Sequence, residues 1–302
     1  MSTSGSETAS PGASPHSPAP AGAGGAAAGL PLGLSGWALI LGASSGFGEA
    51  IALELARRGM DILGVHLDRR STMPNVERII QEIHALGRKA VFFNSNAADE
   101  QKRKDVCQHI ASEAASAPAP KVRVLVHSLA FGTLRPFVPP IGADGSIGVA
   151  DLISKPHLDM TSDVMAHSLL YWTQDLLALG LIGRGSRIFA MTSAGGHRVI
   201  PQYGAVSAAK AALESHCRQL AFELAPLGIT ANALCAGVTD TPALRKIPGN
   251  QEMIAIATAR NPARRLTTPQ DVANAVALLS HPLASWITGN VINVDGGEDI
   301  AG

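Results

Sequence analysis

Short apolar runs recur along the chain and alternate with longer stretches of amphipathic pattern. The runs lie at 37–41, 61–67, 90–93, 122–126, 187–191, 229–234 and 291–294. Apolar positions spaced as on a helix separate them, at 49–58, 75–86, 99–115, 163–179, 203–225 and 269–279. Buried runs that alternate with helices are typical of parallel strands joined by right-handed crossovers. The pattern predicts a doubly wound, Rossmann-type α/β sheet of about seven parallel strands with helices on both faces.

The segment before this pattern has a different composition. Residues 1–30 are mostly Ser, Pro, Ala and Gly, with almost no large apolar side chain. Such a segment cannot bury enough surface to offset its ordering entropy, so we predict a disordered tail. It also lacks the basic start and apolar centre of a signal peptide. No linker interrupts residues 31–302, which we predict to form a single domain.

Charge and cysteine content narrow the classes of function. The 24 basic and 24 acidic residues cancel, and no basic stripe follows a helix, so we expect no nucleic-acid partner. The three cysteines are far apart and have no metal-ligand spacing, which favours a reducing compartment and no metal site. Because no run of 18 apolar residues occurs, we expect a cytoplasmic protein without membrane contact.

A glycine-rich turn follows the first predicted strand and opens the first helix. Its spacing is GxxxGxG, and glycine allows both a sharp turn and the close approach of a phosphate. The N–H groups at the start of the helix would bind the pyrophosphate of a dinucleotide. The alternative is a purely structural turn. The predicted cofactor contacts here are Gly42, Ser44, Ser45, Gly46, Phe47 and Gly48.

The end of the second strand bears on the choice of dinucleotide. An acid there would bind the ribose hydroxyls of NAD, whereas an arginine would pair with the extra phosphate of NADP. The strand runs into His66, Asp68, Arg69 and Arg70, so both signals are present. His66 takes the place where the acid often stands, and the two arginines follow it. We therefore predict NADPH, with NADH as the alternative.

A tyrosine and a lysine lie two helical turns apart. Tyr203 precedes Lys210 by seven residues, so both side chains are predicted on one face of a helix. Ser193 ends the fifth strand ten residues before Tyr203. A phenol can donate a proton to an oxygen that becomes anionic after hydride transfer, and a nearby ammonium lowers the phenol's pKa. The three residues are candidates for catalysis; the alternative is a half-buried Tyr beside a solvent-tipped Lys.

These residues resemble the short-chain dehydrogenase/reductase family over roughly residues 34–302. The ending at 287–297 is similar to that family's C-terminal strand and turn. Most members place Tyr four residues before Lys, where Val206 stands here. The longer spacing, the segment 126–131 and the GxxxGxG turn resemble the enoyl-acyl-carrier-protein reductases. That subgroup implies reduction of the 2,3 double bond of an enoyl thioester by NAD(P)H.

The resemblance also implies further contacts and an assembly. Cofactor contacts carried over by position, in addition to Lys210, are Asn96, Ser128, Ala130, Gly237, Thr239 and Thr241. The substrate would be an acyl thioester, possibly on acyl carrier protein, and the protein a homotetramer. Residues 243–259 would form a mobile helix over the substrate.

Two departures from the family pattern leave alternatives open. Ser193 stands where the best-known enoyl reductases carry a second Tyr, and no Asn occurs at 165–168, where ordinary members have a catalytic one. The long segment 131–161 either shapes an acyl pocket or is a surface insertion. The alternative functions are reduction of 3-oxoacyl thioesters or other ketones, and nucleotide sensing without catalysis.

Overall fold

The computed structural model describes residues 33–113, 115–116, 118–247 and 249–301, so the predicted tail at 1–30 lies outside the described residues. The strands are β1 Trp37–Leu41, β2 Asp61–His66, β3 Ala90–Asn94, β4 Val122–His127, β5 Arg187–Ser193, β6 Thr230–Ala236 and β7 Val291–Val294. The helices are α1 Gly46–Arg57, α2 Met73–Ala85, α3 Glu100–Glu113, α4 Lys155–Ser162, α5 Ser168–Ala178, α6 Gly204–Leu224, α7 Asn250–Arg260 and α8 Pro269–Ser280.

The seven strands form one parallel sheet in the order β3-β2-β1-β4-β5-β6-β7. Strand β1 pairs with both β2 and β4, so the direction in which strands are added reverses at β1. Ligands of such sheets bind beyond the carboxyl ends of the strands at this reversal. The predicted doubly wound α/β fold is confirmed.

Each face of the sheet carries its own apolar core. One core joins the sheet to α3, α5 and α6 and includes the fully buried Trp172. The other joins it to α1, α2 and α8 and includes Phe189. Burial on both faces explains why the strand sequences are almost continuously apolar rather than alternating.

Within the described ranges, no helix combines the length and apolar character that crossing a bilayer requires.

Several predicted boundaries were wrong by one or more residues in either direction, and the largest error is a helix that begins earlier than predicted. Strand β6 continues two residues further, to Ala236, and β5 ends at Ser193, as predicted for that residue, although the apolar run stops at residue 191. The helix predicted at 163–179 begins at Lys155 and contains a π-helical turn, Asp163–His167. Its start has a recognisable cap, since Ser154 is extended and a proline follows in the first turn. The long loop is therefore shorter than predicted and ends at residue 154.

Candidate active site

The turn after β1 is held by backbone contacts that only glycine permits. Gly42 has a φ of +91°, and its N–H donates to Val65 O at 2.8 Å. A Cβ on Gly42 would overlap Ser128 O, and one on Gly48 would overlap Gly42 O. Ser45 caps α1 without a side-chain hydrogen bond to the first turn, which leaves the helix N–H groups free for a ligand. The turn can thus cradle a phosphate, as its spacing predicts.

Beside this turn a cavity of about 250 Å³ opens at the carboxyl ends of the strands. Its lining is mainly apolar. Nine of the residues that the sequence singled out line it: Phe47, Ser128, Ala130, Ser193, Tyr203, Lys210, Gly237, Thr239 and Thr241.

The phenol of Tyr203 is largely withdrawn from water. Tyr203 is the cap residue that precedes α6 rather than its first helical residue. Gly195 leaves room for the ring, since a Cβ there would lie 2.6 Å from Tyr203 Cε1. Burial raises the pKa of Tyr203, and the nearby Ser193 hydroxyl offsets part of that rise. The expected lowering by Lys210 is not seen; instead the phenol stays protonated and can donate.

Ser193 has an unused hydrogen-bonding group. Its Oγ is buried and makes no hydrogen bond of acceptable geometry among the described residues, although it lies close enough to the Tyr203 phenol to lower that group's pKa. Buried hydroxyls are almost always satisfied, so an unpaired one at a cavity wall is suited to a ligand. Ser193 therefore joins Tyr203 as a group able to bind a substrate oxygen.

The ammonium of Lys210 is buried beneath the same cavity. Its Nζ donates to Met191 O at 2.6 Å, which fixes the side chain against β5. Burial lowers the pKa of Lys210 to about 8, since a charge in a low-dielectric site is costly. The group is still mostly charged at neutral pH and places a positive charge next to the cavity.

In the turn after β2 the carboxylate of Asp68 is hydrogen-bonded, whereas Arg69 and Arg70 form no ion pair among the described residues. Asp68 Oδ2 lies 2.9 Å from Nδ1 of the buried His66. Burial works to raise the pKa of Asp68, but hydrogen bonds with Ser44, His66 and a threonine outweigh it and hold the pKa below its usual value. Arg69 and Arg70 are exposed, and neither takes part in an ion pair within the described part of the chain.

Eight predicted cofactor residues do not line the cavity: the turn residues Gly42, Ser44, Ser45, Gly46 and Gly48, together with Arg69, Arg70 and Asn96. Asn96 is exposed, and its Oδ1 accepts from the N–H of Ala98, so it stabilises the turn that leads into α3. Its predicted cofactor contact remains a prediction.

The predicted mobile region contributes to the cavity through a short 3-10 turn, Leu244–Lys246, and through α7. Leu244, Ile247 and Met253 line the cavity with apolar surface. These residues give the cavity an apolar wall.

The segment 131–154 contains a contact that the sequence did not reveal. The ring of Phe137 lies over Gly204, where a Cβ would come within 2.5 Å of it. Arg135 pairs with Asp151 at 2.8 Å, which joins the two ends of the segment. The segment therefore sits against the start of α6 and next to Tyr203. No sequence signal links Phe137 to Gly204, because they are distant in the chain.

Comparison with known families gives a match over most of the described chain. The model of the family described as "Enoyl-(Acyl carrier protein) reductase" matches residues 42–298. That range contains every candidate catalytic and cofactor residue named above.

Individual relatives are about 30% identical to this chain over the aligned residues. A 1-cyclohexenylcarbonyl-CoA reductase of Streptomyces collinus is 29% identical over 265 residues, which is 87% of this chain and 86% of the relative. The enoyl-[acyl-carrier-protein] reductase [NADH] FabI of Escherichia coli is 31% identical over 182 residues, or 60% of this chain and 66% of the relative. The crystal structure of an enoyl-[acyl-carrier-protein] reductase (NADH) from Aquifex aeolicus superposes with a TM-score of 0.74 at 26% identity, covering 90% of this chain and 99% of that one.

Proposed function

Because the chain belongs to the enoyl-(acyl carrier protein) reductase family, we propose that it reduces the 2,3 double bond of an enoyl thioester with a nicotinamide cofactor. The observation that carries the proposal is the common cavity of Ser193, Tyr203 and Lys210, which adjoins a turn shaped to hold a dinucleotide. An apolar wall from Leu244 and Met253 suits an acyl group.

The spacing of Tyr203 fits this reaction better than the reduction of a ketone. In an enoyl thioester the hydride adds two atoms away from the carbonyl carbon, and the negative charge appears on the thioester oxygen. The proton donor must then lie farther from the hydride than in a ketone reductase. A shift of three helix residues moves a side chain's origin by roughly 4.5 Å, which is of the required order.

The bound nicotinamide would supply the hydride, and side chains of the protein would stabilise the negative charge that forms on the substrate oxygen. The protonated Tyr203 phenol donates to the developing enolate oxygen, since burial keeps its pKa above the usual value. The unpaired Ser193 hydroxyl gives that oxygen a second donor. The buried Lys210 ammonium stabilises negative charge without having to reorganise water.

We also propose that NADPH is preferred to NADH. The support is the turn after β2, where Asp68 is engaged by His66 while Arg69 and Arg70 remain exposed and unpaired among the described residues. Guanidinium groups recognise phosphate through paired hydrogen bonds. The relatives named with NADH make this preference a point for direct measurement.

The reaction is tested with two substrates under identical conditions. Purified protein is mixed with NADPH and a crotonyl thioester, and the loss of absorbance of the reduced nicotinamide is followed. We expect oxidation of NADPH with the crotonyl thioester and much slower oxidation with an acetoacetyl thioester. Turnover of the acetoacetyl thioester alone would replace the proposal with ketone reduction, and inactivity on both would revive the nucleotide-sensing alternative.

The carrier and the assembly are further parts of the proposal. Named relatives act on coenzyme A and acyl-carrier-protein thioesters, and we propose that this chain takes an acyl thioester on one of these carriers as a homotetramer. The ratio of kcat/KM for the same acyl group on the two carriers identifies the natural one. Light scattering during gel filtration gives the number of subunits.

A further inference from the structure

A second line of polar contacts runs behind the Tyr203–Lys210 pair, through residues that the proposed mechanism does not use. Glu214 follows Lys210 by four residues on α6, so the two side chains lie on the same side of the helix. Thr192 Oγ1 donates to Glu214 Oε1 at 2.7 Å. Thr192 itself is buried and lines the cavity next to Ser193.

Gly196 holds this carboxylate close to the lysine. A Cβ on Gly196 would lie 3.2 Å from Glu214 Oε1 and 3.4 Å from Lys210 Cβ, so its backbone packs against both. The Thr192 hydroxyl fixes the carboxylate from β5, while Gly196 covers it from the following turn. Glu214 is therefore held in one place near Lys210, although the two make no direct ion pair.

The ionisable groups around Lys210 show how the position of Glu214 affects the pKa of the lysine. Burial lowers the pKa of Lys210 to about 8, and Glu214 is the foremost group that opposes the change. From β4, His127 is neutral, because burial lowers its pKa to about 3. From β6, Cys235 is neutral, because burial raises the pKa of its thiol to about 12. Tyr203 is neutral as well, since its pKa is raised.

Another carboxylate lines the same cavity but acts elsewhere. Glu298 accepts from the N–H of Val238 at 3.0 Å, and burial raises its pKa. It therefore orients the loop after β6. Among the described groups that act on Lys210, Glu214 is the first that opposes the effect of burial on the pKa of the lysine.

We propose that Glu214, held by the Thr192 hydroxyl, is a positioning residue that keeps the Lys210 ammonium charged during turnover. The inference rests on the proposed reductase function, which uses the charge of Lys210 next to the substrate oxygen. Without Glu214, burial acts unopposed and Lys210 loses its proton at a lower pH. Activity then declines earlier as the pH rises, which a purely structural role of Glu214 would not produce.

The test is the pH dependence of kcat/KM between pH 6 and 10, with a crotonyl thioester and NADPH. For Glu214→Gln we expect the alkaline limb to move to lower pH by roughly 0.5–1 unit, the size expected for the loss of one nearby charge that is not in contact. Thr192→Val should give a smaller shift in the same direction. Glu214→Asp, which keeps the charge, should restore most of the wild-type profile.

The matched control is Glu223→Gln, which removes a carboxylate from an exposed site on the same helix, where Gln219 donates to it. Its profile should coincide with that of the wild type. Superimposable profiles for Glu214→Gln and wild type would overturn the inference, as would an equal shift in Glu223→Gln. Thr192→Val decides the question if Glu214→Gln does not fold, which circular dichroism reveals.

A failure of the proposed function can be distinguished from a failure of the inference about Glu214. If the wild type reduces no thioester, the proposed function fails, and the same pH series is recorded for NADPH binding by nicotinamide fluorescence. An alkaline limb that shifts in Glu214→Gln but not in Glu223→Gln then still supports the action of Glu214 on Lys210. Coinciding binding profiles would reject it.

Discussion

The glycine-rich turn after β1 and the Tyr203–Lys210 pair meet at one cavity, yet the chain builds them in different ways. The turn consists of backbone that overlaps any added Cβ at Gly42 or Gly48, and its shape does not depend on a titrating group. The pair consists of a partly buried phenol and a buried ammonium, whose pKa values move in opposite directions. Changes in the turn should therefore act through shape at every pH, whereas changes around the pair should alter chemistry and its pH dependence.

The largest effect should come from adding a single methyl group to the turn. In Gly48→Ala the new Cβ would overlap Gly42 O, which is backbone and cannot swing away. We expect a loss of about 3 kcal/mol or more in the free energy of unfolding, and no measurable cofactor binding. Denaturant unfolding and a fluorescence titration with NADPH provide the two measurements. Gly33→Ala is the control, since nothing lies within 4 Å of a Cβ there; wild-type NADPH affinity in Gly48→Ala would contradict the steric account.

Removal of one hydroxyl from the pair should abolish chemistry while sparing the turn. For Tyr203→Phe we expect kcat to fall by about 10²–10⁴-fold, the usual contribution of a positioned proton donor. NADPH affinity should remain within about threefold of the wild type, because the phosphate-binding backbone is untouched. Tyr171→Phe is a matched control, since Tyr171, the other of the two tyrosines, lies on α5 and packs against Arg103 of α3. Equal losses in both variants would mean that the phenol of Tyr203 has no special role.

The smallest effect should be a change of cofactor preference, produced at the turn after β2 that follows the glycine-rich turn along the chain. With Arg69→Ala and Arg70→Ala combined, we expect KM for NADPH to rise about 10–100-fold, which corresponds to one or two charge-assisted hydrogen bonds. KM for NADH should change by less than about twofold, because NADH lacks the extra phosphate that these arginines would bind. Arg57→Ala, which removes an arginine paired with Glu54, is the control. A parallel rise in KM for both cofactors would show that the arginines serve the fold rather than the phosphate.

The number and the burial of the strands were predictable because strands covered on both faces leave a strong apolar signal. The ends of the strands were harder to predict. Ala236 belongs to β6, but a small residue at the end of an apolar run looks like the start of a loop. The early start of the α4 helix carried a signal at Ser154 that apolar periodicity alone did not use. The π-helical turn Asp163–His167 left no recognisable trace in the pattern.

The candidate site was predictable where its residues follow a local spacing. The glycine turn and the interval between Tyr203 and Lys210 both lie on single continuous segments. Glu214 could also have been found, because it stands four residues after Lys210. Its partner Thr192 could not, since the hydrogen bond between them joins a strand to a helix 22 residues further along the chain. The protonation state of the phenol likewise depends on burial, which only the packed structure reveals.

The contact between Phe137 and Gly204 bears on how the 131–154 segment is seated. The aromatic ring occupies the volume that a side chain at position 204 would fill, so the depth to which the segment settles is governed from α6. A bulkier residue at 204 would push this segment outward, together with Gly132 and Leu134, which it contributes to the cavity wall. The shape of that wall thus depends partly on the helix beneath it, and one substitution on α6 would reshape the wall without changing a residue of the loop.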